Sequence, residues 1–124
     1  MLLVEDDDLV RGVVIEWLVR AGYEVFPAAA PDAAFRLIEE KNLSIDLVVT
    51  DTVMPGMSGP EMIERLRAHD ESLRVLYMSG YLRSESTRRD RLGPAAGFIE
   101  KPFTAEALLT RVRELLGEPS ANPA

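Results

Sequence analysis

Five short apolar runs punctuate the chain: Leu2 to Val4, a weaker one at Tyr23 to Phe26, Leu47 to Val49, Val75 to Met78, and Phe98 to Ile99. Runs of this length without polar alternation predict strands buried on both faces, the habit of a parallel sheet covered by helices. Between them the period changes. Leu9, Val10, Val13, Val14, Trp17 and Leu18 form one stripe at i, i+3, i+4 spacing, and Leu108, Leu109, Val112, Leu115 and Leu116 form another. Both stripes are expected to be core faces of helices. Pro31 and Pro60 suit the first turns of a second and third helix, Thr104 suits the cap of a fifth, and Gly117 followed by Pro119 ends it. The fourth, over Leu82 to Leu92, is the least regular, with Arg83, Arg88, Arg89 and Arg91 set among serines and Glu85.

Five strand and helix pairs with right-handed crossovers predict an α/β fold, a (βα)5 doubly wound parallel five-stranded sheet. Of the two common doubly wound orders, five strands favour the flavodoxin-like 2-1-3-4-5, in which ligands bind outside the carboxyl ends of strands 1 and 3. Residues 1–117 are expected to form the domain. Residues 118–124, with two prolines and no apolar anchor, read as a flexible tail or the start of a linker.

Composition narrows the chemistry. A chain of 124 residues is one domain's worth, and 47% hydrophobic with 28% charged residues is a globular balance. Fourteen Lys and Arg against 21 Asp and Glu leave a net charge of −7, which repels a phosphate backbone, so direct nucleic-acid binding is not expected. No run approaches the roughly 18 apolar residues of a membrane span. The start, MLLVEDDD, turns acidic where a signal peptide would stay apolar, so a cytoplasmic protein without membrane insertion is expected. Cysteine is absent and His69 is the single histidine, which leaves oxygen ligands for any metal. His69 reads as a surface residue at the end of the third helix.

Glu5 and Asp6 follow strand 1 and Asp51 follows strand 3, neighbours in the expected order. Three carboxylates at one switch point repel one another unless a cation joins them, and an all-oxygen site with room for water suits Mg²⁺. Ser79 ends strand 4 and Lys101 ends strand 5, adding a hydroxyl and an ammonium. Together they make a site for a dianionic phosphoryl group, with Asp51 as the nucleophile. Asp7 and Asp8 read as helix-capping acids instead.

The strings LLVEDDD, DLVVTDTVMPGMSG, VLYMSG and GFIEKPF, in that order and spacing, closely resemble the receiver domain of two-component response regulators, from about Met1 to Gly117. The resemblance implies that Asp51 is the phosphoacceptor and that Asp6 and Asp51 ligate Mg²⁺ directly, with Glu5 acting mostly through water and the Val53 backbone carbonyl completing the set. Ser79 and Lys101 match the phosphoryl-contacting hydroxyl and lysine, and Phe98 the aromatic switch position beside Ser79. A cis Lys101-Pro102 bond is implied as well, against a background of about 5% for such bonds. The stretches MSGY, LRSES and EKPFT are similar to receivers attached to hybrid sensor kinases, so the chain reads as a stand-alone receiver or part of a larger kinase. Its implied partners are a histidine kinase or phosphotransfer domain and a downstream protein target, and the resemblance implies that the face of the fourth helix, fifth strand and fifth helix rearranges on phosphorylation. A monomer or weak dimer is expected.

Two other readings compete. An aspartyl-phosphate hydrolase of the haloacid dehalogenase kind places a second acid two residues after the nucleophile, where this chain has Val53. Lacking that acid, the phosphoaspartate should persist, with Val53 and Tyr81 placing apolar bulk where water would attack, and the chain is not expected to be an enzyme. A non-phosphorylated docking module of the same fold would have lost one of Asp6, Asp51 or Lys101, and all three are present.

Overall fold

A computed structural model describes residues 1–80 and 96–117. Five parallel strands form one sheet: β1 (Leu2–Val4), β2 (Phe26–Ala28), β3 (Leu47–Asp51), β4 (Arg74–Ser79) and β5 (Ala96–Glu100), in the order β2-β1-β3-β4-β5. The helices among the described residues are α1 (Asp8–Arg20), α2 (Pro31–Lys41), α3 (Gly59–Arg67) and α4 (Ala105–Leu116). α4 is the helix expected as fifth. The one expected over Leu82 to Leu92, and the tail over residues 118–124, lie outside the described residues.

The sheet separates two apolar layers, and successive strand residues alternate between them as the period of two requires. Leu2, Val4, Val48, Val75, Tyr77 and Phe98 face one side with Ala34 of α2 and Met62 and Ile63 of α3. Leu3, Leu47, Val49, Leu76, Met78 and Ile99 face the other, with Val14 and Leu18 of α1 and Leu108 and Val112 of α4. Burial on both faces accounts for the uninterrupted apolar runs of β1, β3 and β4.

Local signals fix the helix ends. Asp7 caps α1, its Oδ1 accepting from the amides of Leu9 and Val10 at 2.9 and 3.1 Å. Thr104 caps α4 through the Ala107 amide, and Gly117, with φ 91°, ends it. Pro31 opens α2, and Pro60 sits in the first turn of α3 behind a capping box of Ser58 and Glu61.

Two sequence expectations need correction. The second strand is Phe26–Ala28 rather than Tyr23 to Phe26. β2 lies at the sheet edge, where Pro27 costs no ladder bond, and Tyr23 instead packs beneath α1 with its hydroxyl on the Gly117 carbonyl. The α1 stripe is only partly core. Val14 and Leu18 are buried, but Leu9 and Val13 are 79% and 40% exposed. They border an apolar groove of about 570 Å³ with Val10, Trp17 and Phe103, beside Lys101 and Pro102.

Candidate functional site

All five strands run the same way, so their carboxyl ends share one rim. Glu5 leaves β1 with its amide bonded to the Ala28 carbonyl, and the side chain turns inward, wholly buried. Asp51 is the last residue of β3 and is 5% exposed. Thr52 follows it and ties the strand end to β4, donating from its amide and its hydroxyl to the Met78 carbonyl at 3.1 and 3.3 Å. That holds Asp51 beside Met78, one residue before the buried Ser79. The Lys101 amide donates to the Ser79 carbonyl at 2.7 Å, which places its side chain over the same rim.

The sequence-predicted acids meet here. Carboxylate oxygens of Glu5, Asp6 and Asp51 lie within 4.8 Å of one another, with Asp6 the exposed member. Lys101 Nζ stands between two of them, 2.9 Å from Glu5 Oε1 and 2.5 Å from Asp51 Oδ1. The ammonium therefore occupies the place where the acids most need positive charge. The second Glu5 oxygen accepts from the Asp7 amide at 3.1 Å. Val53 lies in the loop just beyond, 77% exposed. Ser79 and Phe98 are buried, and the Phe98 ring packs on Tyr77 with centroids 5.4 Å apart. The Lys101-Pro102 bond is cis. Tyr81 lies outside the described residues.

Charge is unevenly shared. Burial pushes the Asp51 carboxyl up to about 8, the neighbouring Glu5 adds to the rise, and Lys101 opposes it. Burial acts on Glu5 in the same direction, but hydrogen bonds from Asp51, the Asp7 amide and Lys101 outweigh it and hold Glu5 below the usual carboxylate range. Burial works against the Lys101 ammonium too, yet its bonds to Asp51 and Glu5 raise it above the usual lysine value.

The donor set consists of carboxylates without histidine or cysteine, which fits a hard cation such as Mg²⁺. A pocket of acids plus one ammonium is built to receive an anion that brings or shares a cation.

Sequence reasoning missed two supports. Arg11 reaches back from α1, giving Nη1 to the Glu5 carbonyl at 2.8 Å and Nη2 to Asp8 at 2.5 Å. The signal was an arginine in the second turn of a helix that opens with acids. Gly59, at the start of α3, presses on the Asp51 peptide, and only the packing reveals it.

Comparison with known proteins finds related chains. The family model described as the response regulator receiver domain matches residues 1–113. The chain is 37% identical over 116 residues to the sensor kinase CckA of Brucella abortus, covering 94% of this chain and 12% of that kinase. The solved receiver domain of the hybrid histidine kinase CckA superposes with a TM-score of 0.77 at 34% identity, covering 93% of this chain and 96% of that one. The response regulator TrrA of Thermotoga maritima, solved in complex with Mg²⁺ and BeF, gives a TM-score of 0.77 at 28% identity, with 93% and 96% covered.

Proposed function

This chain belongs to the response regulator receiver family, and from that premise we propose that Asp51 accepts a phosphoryl group from the phosphohistidine of a partner kinase or phosphotransfer domain, in a Mg²⁺-dependent reaction. The observation that carries the reading is the Lys101 ammonium seated between Glu5 and Asp51 beside a third carboxylate, at a rim where Ser79 also ends.

One oxygen of Asp51 forms the new O–P bond as the P–N bond to the partner's imidazole breaks. The electron pair stays on the imidazole nitrogen, which takes up a proton. Glu5, Asp6, Asp51 and the Val53 carbonyl are the residues that would hold Mg²⁺, whose charge offsets the acids and the phosphoryl oxygens. Lys101 turns from its carboxylate partners to a phosphoryl oxygen, and the Ser79 hydroxyl donates to another. Ser79 moving toward the phosphoryl group leaves space that Phe98, packed on Tyr77, can enter. The protein supplies position and electrostatics but no acid or base to activate water, so the chain is read as a signalling module rather than an enzyme.

The phosphodonor has to reach Asp51 across the rim beside Lys101, and the α1 groove opens there. We assign that groove to a helix of the phosphodonor, laid across Leu9 and Val13. The chain spans 12% of the length of the CckA sensor kinase, and attachment to a kinase is part of this proposal, as are a cytoplasmic setting and a monomeric or weakly dimeric state.

Intact-mass spectrometry after incubation with acetyl phosphate and Mg²⁺ tests the reading. The expected result is one phosphoryl adduct, absent in Asp51→Asn and in EDTA. An adduct that survives either change would overturn it.

A further inference from the structure

The β3 to α3 connection leaves Asp51, passes Val53 and returns to Gly59, whose amide donates to the Thr52 carbonyl at 2.9 Å. That bond closes the loop on itself. At the closure the first residue of α3 lies flat against the phosphoacceptor strand. A Cβ placed on Gly59 would overlap the Asp51 carbonyl oxygen deeply, and would also stand 3.2 Å from the Asp51 carbonyl carbon and 3.3 Å from the Thr52 Cα. All three neighbours are backbone, so none can swing aside as a side-chain tip would. The φ of Gly59 is not in the left-handed region, so the missing side chain, not conformational freedom, is what the position requires.

Other constraints meet at the same peptide. The Thr50 hydroxyl donates to the Asp51 carbonyl at 3.1 Å, and Thr52 is bonded to Met78 on the neighbouring strand. The strand end is therefore fixed on the β4 side by Thr52 and on the α3 side by contact with Gly59. Ser58 and Glu61 cap the helix, bonding to each other's backbone across its first turn.

We infer that Gly59 is a positioning residue: its bare Cα lets α3 dock on the Asp51–Thr52 peptide and so holds in place the chain segment carrying Asp51 and Val53, two of the residues that would hold the cation. The inference rests on the Mg²⁺ site proposed above. Groups that orient metal ligands typically change affinity by about 10 to 100-fold when altered. Gly59→Ala, which must lift α3 or shift the peptide, is expected to weaken Mg²⁺ by about tenfold or more.

Titration calorimetry with Mg²⁺ on wild type, Gly59→Ala and Ser58→Ala tests this. Ser58→Ala removes the helix cap without adding an atom near Asp51, so it loosens the start of α3 alone. It should leave Mg²⁺ affinity within about twofold. Wild-type affinity in Gly59→Ala, or an equal loss in Ser58→Ala, would overturn the inference. Absence of Mg²⁺ binding by the wild type would instead remove the metal site itself.

Should Gly59→Ala fail to fold, the wild type alone gives the answer. Coupling is reciprocal, so a contact that organises the metal site must itself be tightened by the metal. Hydrogen exchange of the Gly59 amide should slow in Mg²⁺, while that of Ala107 at the α4 cap stays unchanged. A Gly59 amide indifferent to Mg²⁺ would overturn the inference as surely as an unaltered affinity.

Discussion

The upward shift of the Asp51 carboxyl has a physical cause and a measurable sign. Its folded-state value is pushed up to about 8 from an ordinary 3.8, chiefly by burial. A carboxyl raised in this way binds its proton more tightly folded than unfolded, so its contribution to stability is present at low pH and is lost as pH rises through about 8. Glu5 runs the other way: lowered from 4.5, its contribution is present above that value and is lost as pH falls through its folded value. Metal-free protein is therefore expected to unfold at lower urea in EDTA near pH 9 than near pH 6. Asp51→Asn should flatten that difference, since an amide does not titrate. An unchanged midpoint across this range in the wild type would show that Asp51 is ionised throughout. Glu5, Asp6, Asp51 and Lys101 were legible in the sequence because charged side chains at the ends of buried apolar runs are costly there without a purpose. Arg11 and Gly59 were not, since a helix arginine and a turn glycine have many ordinary uses and only the contacts single these two out.

At the scale of elements, Asp7, Thr104 and Gly117 sit where their chemistry places them, and α4 turns Leu108 and Val112 to the core as expected. The α1 stripe shows where periodicity stops being informative. An apolar arc says that a face leaves water, but not whether it meets its own core or another molecule. Val14 and Leu18 meet the sheet, whereas Leu9 and Val13 look across the groove toward Phe103, itself edge-on to Trp17 with centroids 6.2 Å apart. Burying a Leu or Val side chain is worth about 1.5–3 kcal/mol, enough for these two to dominate a helix docked there. Leu9→Asp and Val13→Asp, both at exposed positions, should keep the fold and accept phosphate from acetyl phosphate at the wild-type rate. Transfer from the partner's phosphohistidine should slow by about tenfold or more in each, measured by radiolabel transfer. Equal slowing with acetyl phosphate would place the defect in the rim rather than in docking.

For the whole molecule, the site's defining property is that its parts are distant in sequence. Glu5 and Lys101 are separated by 96 residues and Asp51 lies midway, yet one parallel sheet in the order β2-β1-β3-β4-β5 delivers all three to one edge. The two-layer core makes that delivery rigid: Leu2, Val4 and Val48 pack on one side while Leu3, Leu47 and Val49 pack on the other, so β1 and β3 cannot slip without breaking both layers. Nothing resembling the site survives in the unfolded chain, so a ligand assembled there binds only the folded state and stabilises it by mass action. At about 100 times its dissociation constant, such a ligand adds about 2.7 kcal/mol. For a domain of this size that is roughly 10 °C in the unfolding midpoint. Mg²⁺ with beryllium fluoride, a phosphoryl mimic requiring both the acceptor carboxylate and the cation, should raise the midpoint by about that much in calorimetry. Mg²⁺ alone should give part of the shift, and Asp51→Asn should abolish the beryllium fluoride increment. A full increment in Asp51→Asn would mean that the stabilising ligand sits elsewhere than on the carboxylate this sheet brings to the rim.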